Sequence, residues 1–138
     1  MLQIYSNVHA DRLLHIVFEL GDIKASRTDL SPSDQFLQVS LLSADSGKKF
    51  KPHKHIWKKP SYTHTIAQES WCVIQGSVQV YYYDIDDKLI HTAVLNQGDC
   101  SITFEGGHSY NILEDNSVIY EFKTGPYLGQ ENDKVFID

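Results

Sequence analysis

The sequence predicts an all-β protein, a sandwich or barrel of short strands, and three observations carry that prediction. Apolar and polar residues alternate with period two through most of residues 35–125. The alternating runs are filled with aromatic and β-branched side chains, which strands prefer. Turn residues rich in Gly, Asp and Asn separate them at regular spacing, and no sustained helical stripe appears in the same region.

Taken in order, residues 5–20 are ambiguous, with a strand favoured over 13–19. Ser31-Pro32-Ser33-Asp34 opens one short helical turn, Ser31 as N-cap and Pro32 in the first helical position. Residues 35–42 read as the first clear strand. Residues 69–76 form the next, stopped by Gly76, and residues 78–82 follow at once. Asp84-Ile85-Asp86-Asp87-Lys88 is a hairpin turn. Residues 89–95, 101–104, 108–113 and 117–123 complete the strands, divided by Gln97-Gly98-Asp99, Gly106-Gly107 and Glu114-Asp115-Asn116. There is no repeat, low-complexity tract or linker. The chain reads as one domain over 1–138, with an extension at 1–34, a core at about 35–125 and a tail at 126–138.

At 138 residues the chain is long enough for a core that needs no staples. Its two cysteines, Cys72 and Cys100, stand in no C-x-x-C motif and read as small buried hydrophobes. No apolar run is long enough to span a membrane, and the N-terminus lacks the basic and cleavage regions of a secretory signal. A cytoplasmic protein is expected. The net charge of −6 makes a poor nucleic-acid binder, since phosphate contacts need a positive surplus. That charge is unevenly spread. Lys48, Lys49, Lys51, Lys54, Lys58 and Lys59 share residues 48–59 with no acid, a +6 segment that leaves −12 elsewhere.

Seven histidines is a high count for this length. His53 and His55 stand at i and i+2, which on a strand sends both imidazoles to one face, a spacing that suits two ligands of one metal ion. Glu69 heads the next strand and shares a face with Trp71 and Val73. An inward carboxylate needs a partner, and a metal would provide one. His108 follows Gly106-Gly107, where a tight turn can aim an imidazole inward. Three imidazoles and a carboxylate suit zinc, iron, nickel, manganese or copper better than calcium or magnesium. Each piece also has a plainer reading: surface histidines, a strand-end acid in water, a hydrogen-bonded turn residue.

Here the chain resembles the small single-domain cupins. Their first motif runs Gly, five residues, H-x-H, a short spacer, Glu, six residues and Gly. This chain has Gly47, five residues, His53 and His55, then Glu69, six residues and Gly76. The spacer is thirteen residues, 56–68, in place of three or four, which implies an insertion and leaves Gln68 as an alternative to Glu69. In the second motif Gly98 is followed by five residues and Phe104 where a Pro is usual. Gly106-Gly107-His108 is one residue tighter than the usual spacing, and Asn111 lies near the place of the motif's Asn. The stretch 121–136 is similar to the tail of cupins from polysaccharide-biosynthesis clusters and of relatives of mannose-6-phosphate isomerase.

The resemblance implies a cupin-type double-stranded β-helix, a jelly-roll barrel. It implies a divalent transition metal (Zn, Fe, Mn or Ni) held by His53, His55, Glu69 and His108, and a homodimer. Open metal positions would bind a small polar molecule, and a sugar phosphate or nucleotide sugar fits the lysine segment. Isomerisation or epimerisation would then proceed by proton transfer, with Tyr110, Glu121 and Lys123 as catalytic candidates. The alternatives are a non-catalytic small-ligand-binding cupin and an Fe(II)-dependent oxygenase. Glu121 and Lys123 line the pocket if Ile119, Glu121 and Lys123 form the inward face of their strand. Tyr110 shares a face with His108. His64, beside Tyr62, is a loop residue or a contact of the insertion, and His9, His15 and His91 carry no assigned chemistry. The lysines either draw in an anion or blunt a strand end.

Overall fold

The computed structural model describes residues 1–57 and 66–137, so His64, Tyr62, Lys58 and Lys59 lie outside the described residues. Among these residues the strands are β1 (Leu2–Tyr5), β2 (Leu13–Phe18), β3 (Arg27–Asp29), β4 (Ser40–Leu42), β5 (Glu69–Gln75), β6 (Val78–Tyr83), β7 (Leu89–Leu95), β8 (Cys100–Thr103), β9 (Gly107–Ile112) and β10 (Val118–Lys123). Every pairing is antiparallel. A five-stranded sheet runs β1-β2-β8-β5-β10, a three-stranded sheet runs β7-β6-β9, and β3 pairs only with β4. No helix of the described residues is long and apolar enough to cross a membrane. The all-β expectation holds, as an arrangement consistent with a β-sandwich.

The period-two alternation decides which faces meet. Ile4, Val17, Val73 and Ile119 of the larger sheet pack with Val78, Val80, Tyr82, Ala93, Leu95 and Tyr110 of the smaller one. Val78, Val80, Tyr82 and Leu95 are wholly buried, and each such side chain contributes about 1.5–3 kcal/mol of transfer free energy. The opposite face of the larger sheet is covered too. Ile16, Phe18, Cys100, Ile102 and Phe104 pack against Leu30, Leu37, Val39 and Leu41 from the N-terminal third. The strands β2 and β8, and β5 from Glu69 to Val73, are therefore covered on both sides, which accounts for the continuous apolar run of β2.

Polar side chains hold the turns. Asp84, buried, accepts from Ser6 Oγ (2.5 Å) and from the Asn7 (2.5 Å) and Ile85 (2.8 Å) amides, tying the N-terminus to the β6–β7 hairpin. Asp87 takes a positive φ in that hairpin, as an Asp-rich turn allows. Asp99 accepts from the Leu20 and Asn96 amides, both at 2.8 Å.

Three local expectations change. Residues 35–42 form a ladder only over β4. Leu37, Val39 and Leu41 do turn inward as the alternation requires, but Gln38 bonds the carbonyls of Pro32 and Gln35 (2.8 and 2.6 Å), a local alternative to sheet pairing. At 31–34 there is a turn, closed by Gln35 N–H to Pro32 O (3.1 Å), and Ser31 Oγ accepts from Val39 N–H instead of capping a helix. Residues 43–57 carry no strand, so the H-x-H pair stands on irregular, exposed chain. Pro52 removes a ladder donor immediately before His53, and four like charges at 48, 49, 51 and 54 repel one another.

His15 is wholly buried on β2, its Nδ1 3.0 Å from Thr103 Oγ1 and its Nε2 3.1 Å from the Tyr83 carbonyl. Burial drives its pKa from 6.5 to about 4, offset in part by the Tyr83 carbonyl, with His108 lowering it further and Asp84 raising it. The unfolded imidazole gains a proton below pH 6.5 that the folded one resists until about 4. Stability therefore falls as pH drops through that window, by up to roughly 3 kcal/mol. Urea midpoints followed across the window should decline in wild type and decline less in His15→Gln.

Candidate functional site

The site grows from two strands in opposite sheets, each contributing residues i and i+2. On β5, Glu69 and Trp71 share the inward face; on β9, His108 and Tyr110 do. Glu69 Oε1 lies 3.1 Å from His108 Nε2. One step further along, Trp71 and Tyr110 stack, with ring centroids 3.6 Å apart and planes within 3°. Two rungs thus span the gap between the sheets, one polar and one aromatic.

The third contributor is β10, hydrogen-bonded to β5 with Glu121 opposite Trp71 and Lys123 opposite Glu69. The Trp71 indole donates to Glu121 Oε2 at 3.2 Å. Lys123 Nζ bonds Asp133 Oδ2 at 2.7 Å, stands 4.0 Å from Glu121 and lies 4.4 Å from the centre of the Tyr127 ring. The tail reaches over this end of the sandwich, since Ile137 Cδ1 lies near Gly107 at the start of β9.

The electrostatics assign protonation. Burial alone would raise the Glu69 carboxyl, but the hydrogen bond and charge of His108, with Lys134 and Lys123 beyond, hold it below the usual value, so it is a carboxylate. A carboxylate only accepts, so His108 donates to it from Nε2, and Nδ1 stands on the far side of the ring from that bond. Burial, then the negative charge of Glu69 and the neighbouring Tyr82, push Tyr110 well above the ordinary tyrosine range. It stays a neutral donor. The bond to Asp133 raises Lys123, which stays an ammonium. Two atoms of the cluster, His108 Nδ1 and the Tyr110 hydroxyl, are buried with no hydrogen-bond partner among the described residues. The Tyr110 hydroxyl stands toward Ser101, which offsets part of its shift. Buried polar atoms are nearly always partnered, so the bare His108 Nδ1 marks a place that can meet a ligand or water.

Of the candidate ligands, Glu69 and His108 come together. His53 and His55 stand side by side, edge to face with ring centroids 5.4 Å apart, and His53 Nδ1 lies 3.0 Å from the Lys51 carbonyl. They do not join the other two: among the described residues no group of three or more His, Cys, Asp or Glu side chains is placed to hold a metal. The Glu69–His108 spacing does fit two ligands about 2.1 Å from one ion and at right angles, which lie about 3.0 Å apart. Gln68 is engaged elsewhere, accepting from the Leu37 amide (2.7 Å) and donating to Gln35 (2.8 Å), so Glu69 is the inward acid. Lys48, Lys49, Lys51 and Lys54 are exposed. Two clefts, of about 440 and 420 Å³, lie elsewhere on the surface and include none of Glu69, His108 or Tyr110.

Two contributors escaped the sequence reading. Trp71 was readable as inward-facing, but its stacking partner sits in the other sheet, and the pairing of Asp133 with Lys123 depends on the path of the tail. No family model matches the chain, and no curated protein or solved structure matches it.

The orphaned hydroxyl has a measurable signature. Tyr110→Phe should change stability by less than about 1 kcal/mol, because the lost O–H stands toward Ser101 without a hydrogen bond of normal geometry. Tyr82→Phe should cost about 0.5–1.5 kcal/mol, because that hydroxyl donates to Ser101 Oγ at 2.9 Å. Chemical denaturation of the two variants gives the comparison.

Proposed function

We propose that the chain is a cupin-like jelly-roll protein whose Glu69–His108–Tyr110 cluster moves a proton on a small, polar, anionic sugar-type molecule, in the manner of an isomerase or epimerase. The observation that carries this reading is the 3.1 Å carboxylate–imidazole contact with two unpartnered buried polar atoms beside it. Two facing sheets with an inward acid and histidine support the jelly roll.

The chemistry follows from the protonation states. In its neutral form His108, oriented by the Glu69 carboxylate, takes a proton from a carbon beside a carbonyl at Nδ1, and the resulting imidazolium is stabilised by the adjoining negative charge. Tyr110, held neutral, donates its O–H to the oxygen on which charge develops. Lys123 keeps its proton and acts by charge, drawing an anionic group toward this end of the sandwich. Trp71 walls the site and fixes the Tyr110 ring by stacking. Glu121 orients Trp71 through the indole N–H.

A second reading places a divalent transition metal at the same pair, with His53 and His55 as further ligands. The Glu69–His108 separation favours it. When bound, such an ion would polarise the substrate carbonyl.

Incubating the protein in D₂O with keto- and aldo-sugar phosphates and with nucleotide-linked keto-sugars should wash deuterium into the carbon beside the carbonyl. His108→Asn and Glu69→Gln should slow that exchange roughly 10²–10⁴-fold. Exchange with none of these compounds, or exchange indifferent to both variants, sinks the proton-transfer reading. Elemental analysis of the same preparations, made without a chelating tag, separates the two readings. Stoichiometric metal lost in His53→Ala/His55→Ala supports the ion, and trace metal unaffected by that double variant removes it.

A further inference from the structure

The outward face of β5 carries a second reactive pair. Cys72 of β5 and Cys100 of β8 are directly opposed in register, and their sulfurs are 3.5 Å apart. The Val73 amide bonds the Asp99 carbonyl at 3.0 Å and the Val73 carbonyl accepts from the Gly98 amide at 2.8 Å, so Val73 forms a hydrogen-bonded rung with the bulged pair Gly98-Asp99, Gly98 at positive φ. Pairs alternate along an antiparallel ladder, so Cys72 and Cys100, the next rung, form a non-hydrogen-bonded one. Such residues have Cα atoms about 4.5 Å apart and side chains closest together, inside the range a disulfide spans. Ser70 Oγ lies 3.2 Å from Cys100 Sγ. Both thiols are free, Cys100 buried and Cys72 half-buried.

From this juxtaposition we infer that Cys72 and Cys100 are a redox-modifiable dithiol, converted by low-molecular-weight disulfides of the glutathione class into an intrachain disulfide across β5 and β8. The roles of the two sulfurs differ. The contact between them draws the Cys72 thiol down to about 7 against the opposing effect of burial, with Ser70 assisting. The same contact and burial push Cys100 up. Cys72, the more exposed and more acidic, is the attacking thiolate. Its sulfur displaces one thiolate from the small disulfide and forms a mixed disulfide. The first departing thiolate takes up, through solvent, the proton that Cys72 gave up on ionising. Cys100 then attacks the Cys72 sulfur, and its own proton passes to the second small thiolate as that leaves. The net change is two protein thiols oxidised to one disulfide and one small disulfide reduced to two thiols.

The test is native oxidation of the full chain with glutathione disulfide, followed by intact-mass and peptide mass spectrometry. The expected product lacks two hydrogens, carries no glutathione, links the peptides of Cys72 and Cys100 within one chain, and reverts with dithiothreitol. Cys100→Ser should stop at a stable mixed disulfide on Cys72, and Cys72→Ser should leave Cys100 unmodified in the folded state. Retention of both thiols by the native wild type, a terminal glutathione adduct on it, or a link between two chains would each overturn the inference. The wild-type masses decide the matter even where a serine variant fails to fold.

Discussion

Strand β5 is covered on both faces over most of its length, and that constraint organises the rest. It lies between β8 and β10 in the larger sheet. Its odd-numbered side chains, Glu69, Trp71 and Val73, must be tolerated between the sheets. Its even-numbered ones, Ser70 and Cys72, must be tolerated under the N-terminal third. A period of two allows no third destination. From Glu69 to Val73 the strand therefore serves two interiors of different chemistry, and the polar residues Glu69 and Ser70 have to find their partners inside the protein. Ile74 and Gln75 at its end are exposed.

For Glu69 that requirement is severe. An isolated buried carboxylate would neutralise, yet this one is held ionised. The compensation comes from the opposite sheet, where His108 offers an N–H at 3.1 Å, and from Lys134 of the tail and Lys123 beyond it. The sheets are thus joined at this end by a polar rung and a stacked aromatic rung, and further along by wholly apolar contacts of Val73, Val78 and Val80. A charge embedded at one end of an otherwise apolar interface stabilises little in itself. Its value is to orient the imidazole, and a site that needs an oriented base gains from that.

How much was legible in the sequence follows from what alternation encodes. The strands from β5 to β10 fall within a residue or two of the expected bounds, because each is a clean period-two run closed by Gly, Asp or Asn. Strand β1 was not separated from its surroundings, since Leu2–Tyr5 is short and only Ile4 is buried. The inward side of Glu69 and the shared face of His108 and Tyr110 were readable for the same reason. Their meeting was not, because alternation tells which face a residue takes and says nothing about which residue of the other sheet it confronts. His53 and His55 show the converse. Their spacing implies a shared side, and the rings do lie together, but the charged, Pro-interrupted chain around them forms no strand.

The two interiors served by β5 are also not independent, because neighbours on a strand share backbone. Cys72 is flanked by Trp71, which stacks on Tyr110 and bonds Glu121. Cys100 is flanked by Ser101, which accepts the Tyr82 hydroxyl in the inner core. Joining two sulfurs now 3.5 Å apart requires their side chains, or the strands beneath them, to shift by more than an ångström. Side-chain rotation alone would confine that shift to the outer face. Any part taken up by the backbone reaches Trp71 and Ser101, and a packed core passes displacement on instead of absorbing it. Trp71 is then the first group of the candidate site to move, and the Tyr110 ring, stacked on it at 3.6 Å, is the next.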